Sequence, residues 1–569
     1  MVSAFFRSLS VPSTTPSRRS FVAFSVLAGV GLPVLAGCDL PGASKAKDSA
    51  SANGSASAKG KAKAGSTDWQ KLDAHIMGHN VTVEVSPVIR KNDTTSIMAL
   101  ELTRAKDDAS IDRVKTDSSD TEDNKFNISS YLGTPSIYRP GTGASLVKLL
   151  DLGSGRVWSA TDGSGADDGF LEITPGEKTT SYLSFGKVDT DTVTVMVPMA
   201  GFTTVSVLEA DAAKKASIDL DAASSNLDQF PDAATELAKP ATIERYTRAL
   251  DDSTSTHTGD KDVTVTLASD VTFAPDSADL TPAADTQLQT VADQLDQYPD
   301  GGTLTVVGHT DDVQDDAYNQ TLSEKRANAV KTKLQQLTDL DKWNPTTTGK
   351  GESEPRVKDT TDEARAANRR VEITLTPTGG TTPKDSNTSA TPSNGSDSGK
   401  LPAPQGPVAK GSKGVTLTSK GTDTSGEVTI TLDHLTRQDG YLLGTITCTV
   451  KDGSTGAPLH PLLEDPQTVL ANQRDESGGA LPTFNASDGL TLIAGGERIF
   501  PADYLDADAG QHLPLTELRL LDHLKASTTS ICTIWPDPGG DTITLDHPEG
   551  KYSPKGTAYR LTDIPIKNS

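Results

Sequence analysis

The chain has 569 residues, too many for one hydrophobic core, so roughly three or four domains of ~100–200 residues are expected. A hydrophobic fraction of 34% with 48 Gly and 33 Pro favours linkers and turn-rich β structure over one compact enzyme. With 77 acidic against 53 basic residues and a formal charge of -24, the chain repels polyanions, and no nucleic-acid partner is expected.

At the N-terminus, Arg7, Arg18 and Arg19 precede the apolar run "FVAFSVLAGVGLPVLAG" (21–37), which Gly29, Gly31 and Pro33 interrupt. Charge followed by a broken apolar stretch predicts a signal peptide over 1–37; a membrane span would be solidly apolar over about 20 residues. "LAGC" at Leu35–Cys38 resembles the bacterial lipobox. That resemblance implies acylation of Cys38 and a mature protein held on the lipid bilayer of the cell membrane, facing the periplasm or cell wall. "SRRSFVA" from Ser17 resembles the twin-arginine export signature, with an ordinary secretory signal as the other reading. Residues 38–67 then form a small, polar, Lys-containing tether.

Residues 68–210 show short alternating runs such as "VTVEV" from Val81, "IMALEL" from Ile97 and "TVTVMV" from Thr192. These predict a β-sandwich. Residues 414–569 repeat the pattern beyond a Gly/Ser/Thr/Pro-rich linker over 377–413, whose composition cannot build a core. "TVEVSPVIRKND" from Thr82 aligns with "TITLDHLTRQDG" from Thr429, and "TTSYLSF" from Thr179 with "TTSICTI" from Thr528. Ordered matches at nearly constant offset predict two copies of one sandwich. On this alignment Cys532 falls where the first copy has Leu183. With Cys38 lipidated, Cys448 and Cys532 are left of the three cysteines. In an exported chain they are expected to form a disulfide, two buried free thiols being the alternative.

After a connector over 211–261, the periodicity changes in 262–376. "VTVTLA" from Val263 alternates as a strand, and Pro282 opens a helix whose Leu288, Val291, Ala292 and Leu295 share one face. "TLTVVG" is a second strand, residues 319–338 a second helix, and Val371–Leu375 a final strand. The pattern is βαβαβ, a sheet backed by helices. "VTFAPDSADLTPAA" from Val271, "VVGHTDDVQDDAYNQTLSEKRANAV" from Val306, "GKGESEP" from Gly349 and "EARAANRRVEI" from Glu363 together resemble the OmpA-like peptidoglycan-binding domain. The whole is therefore expected to be multidomain: a central OmpA-like α/β module flanked by two duplicated all-β sandwiches.

The resemblance implies that Asp311 and Arg326 bind the diaminopimelate side chain of the wall peptide, with Thr310 beside them. That ligand end carries an ammonium and a carboxylate on one carbon, so one fixed anion and one fixed cation suit it. Asn319 is read as holding the loop or capping the helix. Of the pair Arg369 and Arg370, Arg370 is assigned to the glycan or peptide and the other to pairing with acids. Family members usually carry glycine where this chain has Gln314, which predicts a reluctant backbone there. His309 reads as a packed histidine. The loop acids lack calcium-loop spacing and no nucleophile–base constellation appears, so no metal, no cofactor and no enzyme activity are expected.

The function expected is a lipid-anchored protein that binds peptidoglycan non-covalently. One alternative makes the sandwiches a receptor or scaffold for an envelope protein partner, with wall binding as an address. Another, a motor or transport component, would need an acidic transmembrane helix, and nothing in 21–37 is acidic. Cys38→Ser should yield an exported, unlipidated precursor that no longer partitions into detergent. Continued fractionation with membranes after digestion of the sacculi would make 21–37 a span instead.

Overall fold

The computed structural model describes residues 63–108, 125–133, 144–160, 171–223, 237, 239–381, 401–465, 486–506, 510–518, 523–549 and 555–569. Cys38, the signal pattern, most of the tether and residues 382–400 of the second linker lie outside them.

The first all-β unit is built from β1 (Gln70–Ile76), β2 (His79–Val85), β3 (Val88–Arg90), β4 (Thr95–Arg104), β5 (Lys148–Asp151), β6 (Arg156–Ser159), β7 (Lys178–Gly186), β8 (Thr192–Val197) and β9 (Gly201–Glu209). Alternation does what the sequence predicts in β2, burying Val81, Val83 and Val85 on one face. Pro87 has no N–H for a ladder, so the run breaks there. β2 and β3 both lie against β4, which pairs β7 as well, and β3 continues in parallel onto β9. β9, β8, β5 and β6 complete the path as antiparallel neighbours.

The central module opens with a hairpin, β10 (Arg245–Ala249) and β11 (Thr254–Thr258). It continues through β12 (Val263–Ala268), α1 (Pro282–Asp296), β13 (Gly302–Gly308), α2 (Asp316–Leu337), β14 (Trp343–Gly349), α3 (Asp362–Asn368) and β15 (Arg370–Pro377). The sheet order is β14-β13-β15-β12-β11-β10, and only the β13–β14 pair among these is parallel. Leu288, Val291 and Leu295 of α1 and Ala327, Val330 and Leu334 of α2 bury against Val265, Leu304, Val306 and Ile373 of the sheet. Burying each of the Val, Leu and Ile side chains contributes about 1.5–3 kcal/mol.

The second all-β unit comprises β16 (Val415–Lys420), β17 (Ser425–Thr431), β18 (Leu435–Gln438), β19 (Tyr441–Val450), β20 (Thr491–Ala494), β21 (Glu497–Ile499), β22 (Thr528–Pro536), β23 (Thr542–His547) and β24 (Tyr559–Asn568). Its pairings follow those of β1–β9 strand for strand, including the parallel contact of β18 with β24. In these ladders Thr445↔Cys532 occupies the place of Ala99↔Tyr182. The counterpart of Cys532 is thus Tyr182, one residue from the Leu183 of the sequence alignment.

Two features depart from a string of separate modules. First, β10 pairs β21 on its outer edge, Thr247↔Ile499 through Ala249↔Glu497, so the module's sheet runs without a break into the second β unit. The Tyr246 ring packs at a tilt against Phe500, 5.3 Å between centroids, and Phe500 N donates to Tyr246 O at 3.2 Å. Part of the expected connector is therefore sheet. Secondly, the two β units, far apart in sequence, share one core in which Val85, Val197 and Val205 cluster with Ile430, Ile446 and Ile531. Buried polar bonds cross that junction: Glu517 Oε1 accepts from Met199 N at 2.8 Å, and Gln438 Nε2 donates to Thr194 Oγ1 at 2.7 Å.

The expected Cys448–Cys532 disulfide is absent, and the ladder gives the reason. Both thiols are free and buried. Cys448 lies opposite Thr529 whereas Cys532 lies opposite Thr445. Three steps of strand separate them, about 10 Å, and an odd step turns them to opposite faces, whereas a bridge needs Cα atoms ~4.4–6.8 Å apart. Cys448 accordingly joins the shared core and Cys532 a different cluster. Burial pushes the Cys448 thiol up to about 12. Neither thiol should react with iodoacetamide in the folded protein, and both should react after unreduced denaturation. A mass two hydrogens lighter, with neither thiol alkylated after denaturation, would contradict this account.

Candidate binding site

Gly308 ends β13 and Gly349 ends β14, and α2 passes directly over both. A Cβ at Gly308 would collide with Ser323 O, and one at Gly349 would come within 2.5 Å of Glu324 N. This close approach brings the start of α2 beside the loop that leaves β13. Asp315 caps the helix, its carboxylate accepting from Tyr318 N at 3.0 Å.

The loop and helix face the segment Ser269–Asp276 across a cleft of about 290 Å³. Asp311, Arg326, Thr310 and Asn319 all line it, together with Asp270, Phe273, Tyr318 and Arg369. Arg369 is the hinge of its charge pattern. Its Nε and Nη2 grip both oxygens of Asp270 at 2.7 and 2.6 Å, and its Nη1 donates to Asp311 Oδ2 at 2.6 Å. These acids hold Arg369 above its ordinary range, Asp270 first. Asp311 Oδ1 keeps one long bond, from Val313 N at 3.3 Å.

Arg326 is treated differently. It is 5% exposed, its Nε donates to Ser277 O at 3.0 Å, and its guanidinium lies 5.1 Å from the centre of the Phe273 ring. Burial lowers its pKa, but a guanidinium stays charged. Among the described residues no carboxylate lies within ion-pair distance of it. A buried cation without a carboxylate partner carries a desolvation cost that a ligand anion could offset.

Asn319 Nδ2 donates to Asp311 O at 3.1 Å, to Gln314 O at 3.2 Å and to Glu352 Oε2 at 2.6 Å. It ties the loop to the "GKGESEP" turn, while the cap of α2 belongs to Asp315. Thr310 is buried, its N–H donating to Gly351 O at 2.9 Å and its Oγ1 unpartnered. Val313 and Tyr318 expose apolar surface at the rim.

The assignment of Arg370 requires correction. Successive residues entering a strand face opposite ways, and Arg370 turns from the cleft to donate through Nε to Glu372 Oε1 at 2.7 Å. Arg369 takes the place facing the cleft while also pairing with acids. Gln314 also differs from expectation: the left-handed non-glycine residue lining the cleft is Asp276, with φ 51°, and Gln314 is not among such residues. Asp312 is spent on Arg365 Nε at 2.7 Å. Arg369 pairs with acids as expected, whereas nothing in the sequence marks Asp270 or Phe273 as part of the cleft. Which of the two arginines faces the cleft depends on where β15 starts, which "NRRVEI" does not mark, and no periodicity marks Asp270.

A profile described as the OmpA family matches residues 272–369. Outer membrane porin F of Pseudomonas aeruginosa is 44% identical over 103 residues, 18% of this chain and 29% of that protein. The putative lipoprotein YfiB of Escherichia coli is 36% identical over 111 residues, 19% of this chain and 68% of that protein. The chain thus spans under a third of the porin and about two thirds of YfiB. Among solved structures, the cell wall anchor of the T6SS from Pseudomonas aeruginosa is 30% identical, covering 22% of this chain and 89% of that one with a TM-score of 0.20. The peptidoglycan-associated lipoprotein from Burkholderia pseudomallei is 28% identical, covering 18% and 86% with a TM-score of 0.17.

Behind the cleft, His309 is 2% exposed with neither ring nitrogen hydrogen-bonded. Burial, then Arg370, pushes its pKa down from 6.5 to about 4. The unfolded chain takes up this proton near the ordinary histidine value and the folded chain only near 4, so stability falls as pH drops across that window and is flat above it. The loss should reach roughly 3 kcal/mol. Denaturant titrations at pH 7 and 4.5 should show a smaller pH loss for His309→Gln than for the parent; equal losses would contradict the assignment.

Proposed function

The chain belongs to the OmpA family, and on that premise we propose that its cleft binds the diaminopimelate side chain of peptidoglycan stem peptides. The observation that carries the reading is the buried guanidinium of Arg326, lacking a carboxylate partner, in the same cleft as Asp311. The ligand's carboxylate takes the free edge of Arg326 through parallel hydrogen bonds, and its ammonium takes Asp311 Oδ1. Asn319 holds the loop that carries Asp311, and the buried Thr310 backs it, its N–H bound to Gly351 O.

In this reading Cys38 is acylated and holds the chain on a membrane, and residues 38–67 supply the reach to the wall. A membrane-held protein facing a dense array of peptides binds with high effective concentration, so modest single contacts suffice. The two all-β units are copies of one sandwich, a reading supported by their equivalent strand pairings. Their shared core and the β10–β21 pairing make them the base from which the module projects.

Isolated sacculi should pull down the wild-type chain and should fail to retain Asp311→Ala. A titration with stem peptides should favour diaminopimelate over lysine by about tenfold or more, because lysine lacks the carboxylate that Arg326 clamps. Undiminished retention of Asp311→Ala, or equal affinity for the two peptides, would contradict the proposal.

A further inference from the structure

Asp311 is the anion that the ligand's ammonium requires, yet it already touches a cation, Arg369 Nη1, at 2.6 Å. An arginine free to choose would present two parallel N–H groups to such a carboxylate and occupy both of its oxygens. Here it cannot, because Nε and Nη2 are bound to Asp270 at 2.7 and 2.6 Å. Only one Nη reaches Asp311, and it reaches Oδ2 alone.

Resting on the diaminopimelate reading above, we infer that Asp270 is a positioning residue: by engaging Arg369 bidentately it keeps Asp311 Oδ1 and its negative charge available to the ligand's ammonium. The three groups carry two negative charges and one positive, so the row retains one net negative charge opposite Arg326. Without Asp270 the charge of Arg369 would fall wholly on Asp311, and the guanidinium would be free to swing onto both oxygens. The cleft would then keep its carboxylate clamp at Arg326 and lose its ammonium site. Asp270 thereby sets which half of the zwitterion is recognised, acting through Arg369.

The test uses the full chain and three stem tripeptides that differ in their third residue. These carry meso-diaminopimelate, lysine (side-chain ammonium only) or 2-aminopimelate (side-chain carboxylate only). Asp270→Asn should weaken the first two by about tenfold or more and leave the third within about twofold. Equal weakening of all three is what a loosened fold would produce, and it would overturn the inference, as would no change. The double variant separates positioning from direct contact. In an Asp311→Asn background, Asp270→Asn should have no further effect on the diaminopimelate peptide; an additive loss would mean that Asp270 binds the ammonium itself. Arg369→Met added to Asp270→Asn should restore affinity for the lysine peptide by releasing Asp311, and failure to restore it counts against the inference. If the wild-type chain binds none of the three, the diaminopimelate reading itself falls, an outcome distinct from each of these.

Discussion

The close approach of α2 to the ends of β13 and β14 is the constraint on which the cleft depends. Glycine at 308 and 349 lets the helix axis come down onto the strand ends, where any Cβ would meet Ser323 or Glu324. That contact fixes the distance between a loop residue, Asp311, and a residue well inside a helix, Arg326. Neither charge is then ordered at the moment of binding, so little of the interaction energy is lost to conformational entropy. Asn319 extends the same logic, since one amide restrains the backbone at Asp311 and Gln314 together.

Charge placement in the cleft follows from who partners whom. Arg369 is held by two acids and contributes rigidity, whereas Arg326 rests on an aromatic face and a carbonyl and keeps its free donors for a ligand. Two arginines within one cleft thus serve different ends because of their neighbours. Around the module, the hairpin β10–β11 replaces what would otherwise be a swinging joint. Its outer edge continues the sheet into β21, so a load on the cleft passes through backbone hydrogen bonds into the second β unit.

Much of this was legible in the sequence where a periodic signal was strong. The face Leu288, Val291, Ala292 and Leu295 is the buried face of α1, and the alternation in "VTVEV" is the burial pattern of β2. The hairpin was not legible, because "RYTRA" and "TSTHT" are short, Thr-rich and half-buried, and their pairing partner at 497–499 lies far away in the chain. The disulfide was misjudged for a related reason: both cysteines do sit on inward-facing positions of paired strands, but the register that sets them on opposite faces is a tertiary fact. Arg369 and Arg370 are adjacent and chemically alike, and only the start point of β15 decides which one turns to the cleft. Gln314 shows the limit of reading a loop from glycine usage, since the left-handed turn near the cleft falls at Asp276 instead.

The central claim is that one zwitterionic end group is read by one anion and one cation held apart by α2. A crystal structure of the chain with a meso-diaminopimelate tripeptide tests it most directly. The account predicts the side-chain carboxylate on the terminal nitrogens of Arg326 and the ammonium on Asp311 Oδ1, with the Asp270–Arg369 pair unchanged. A peptide bound elsewhere, or lying in the cleft with its side-chain terminus pointing away from Arg326, would contradict it.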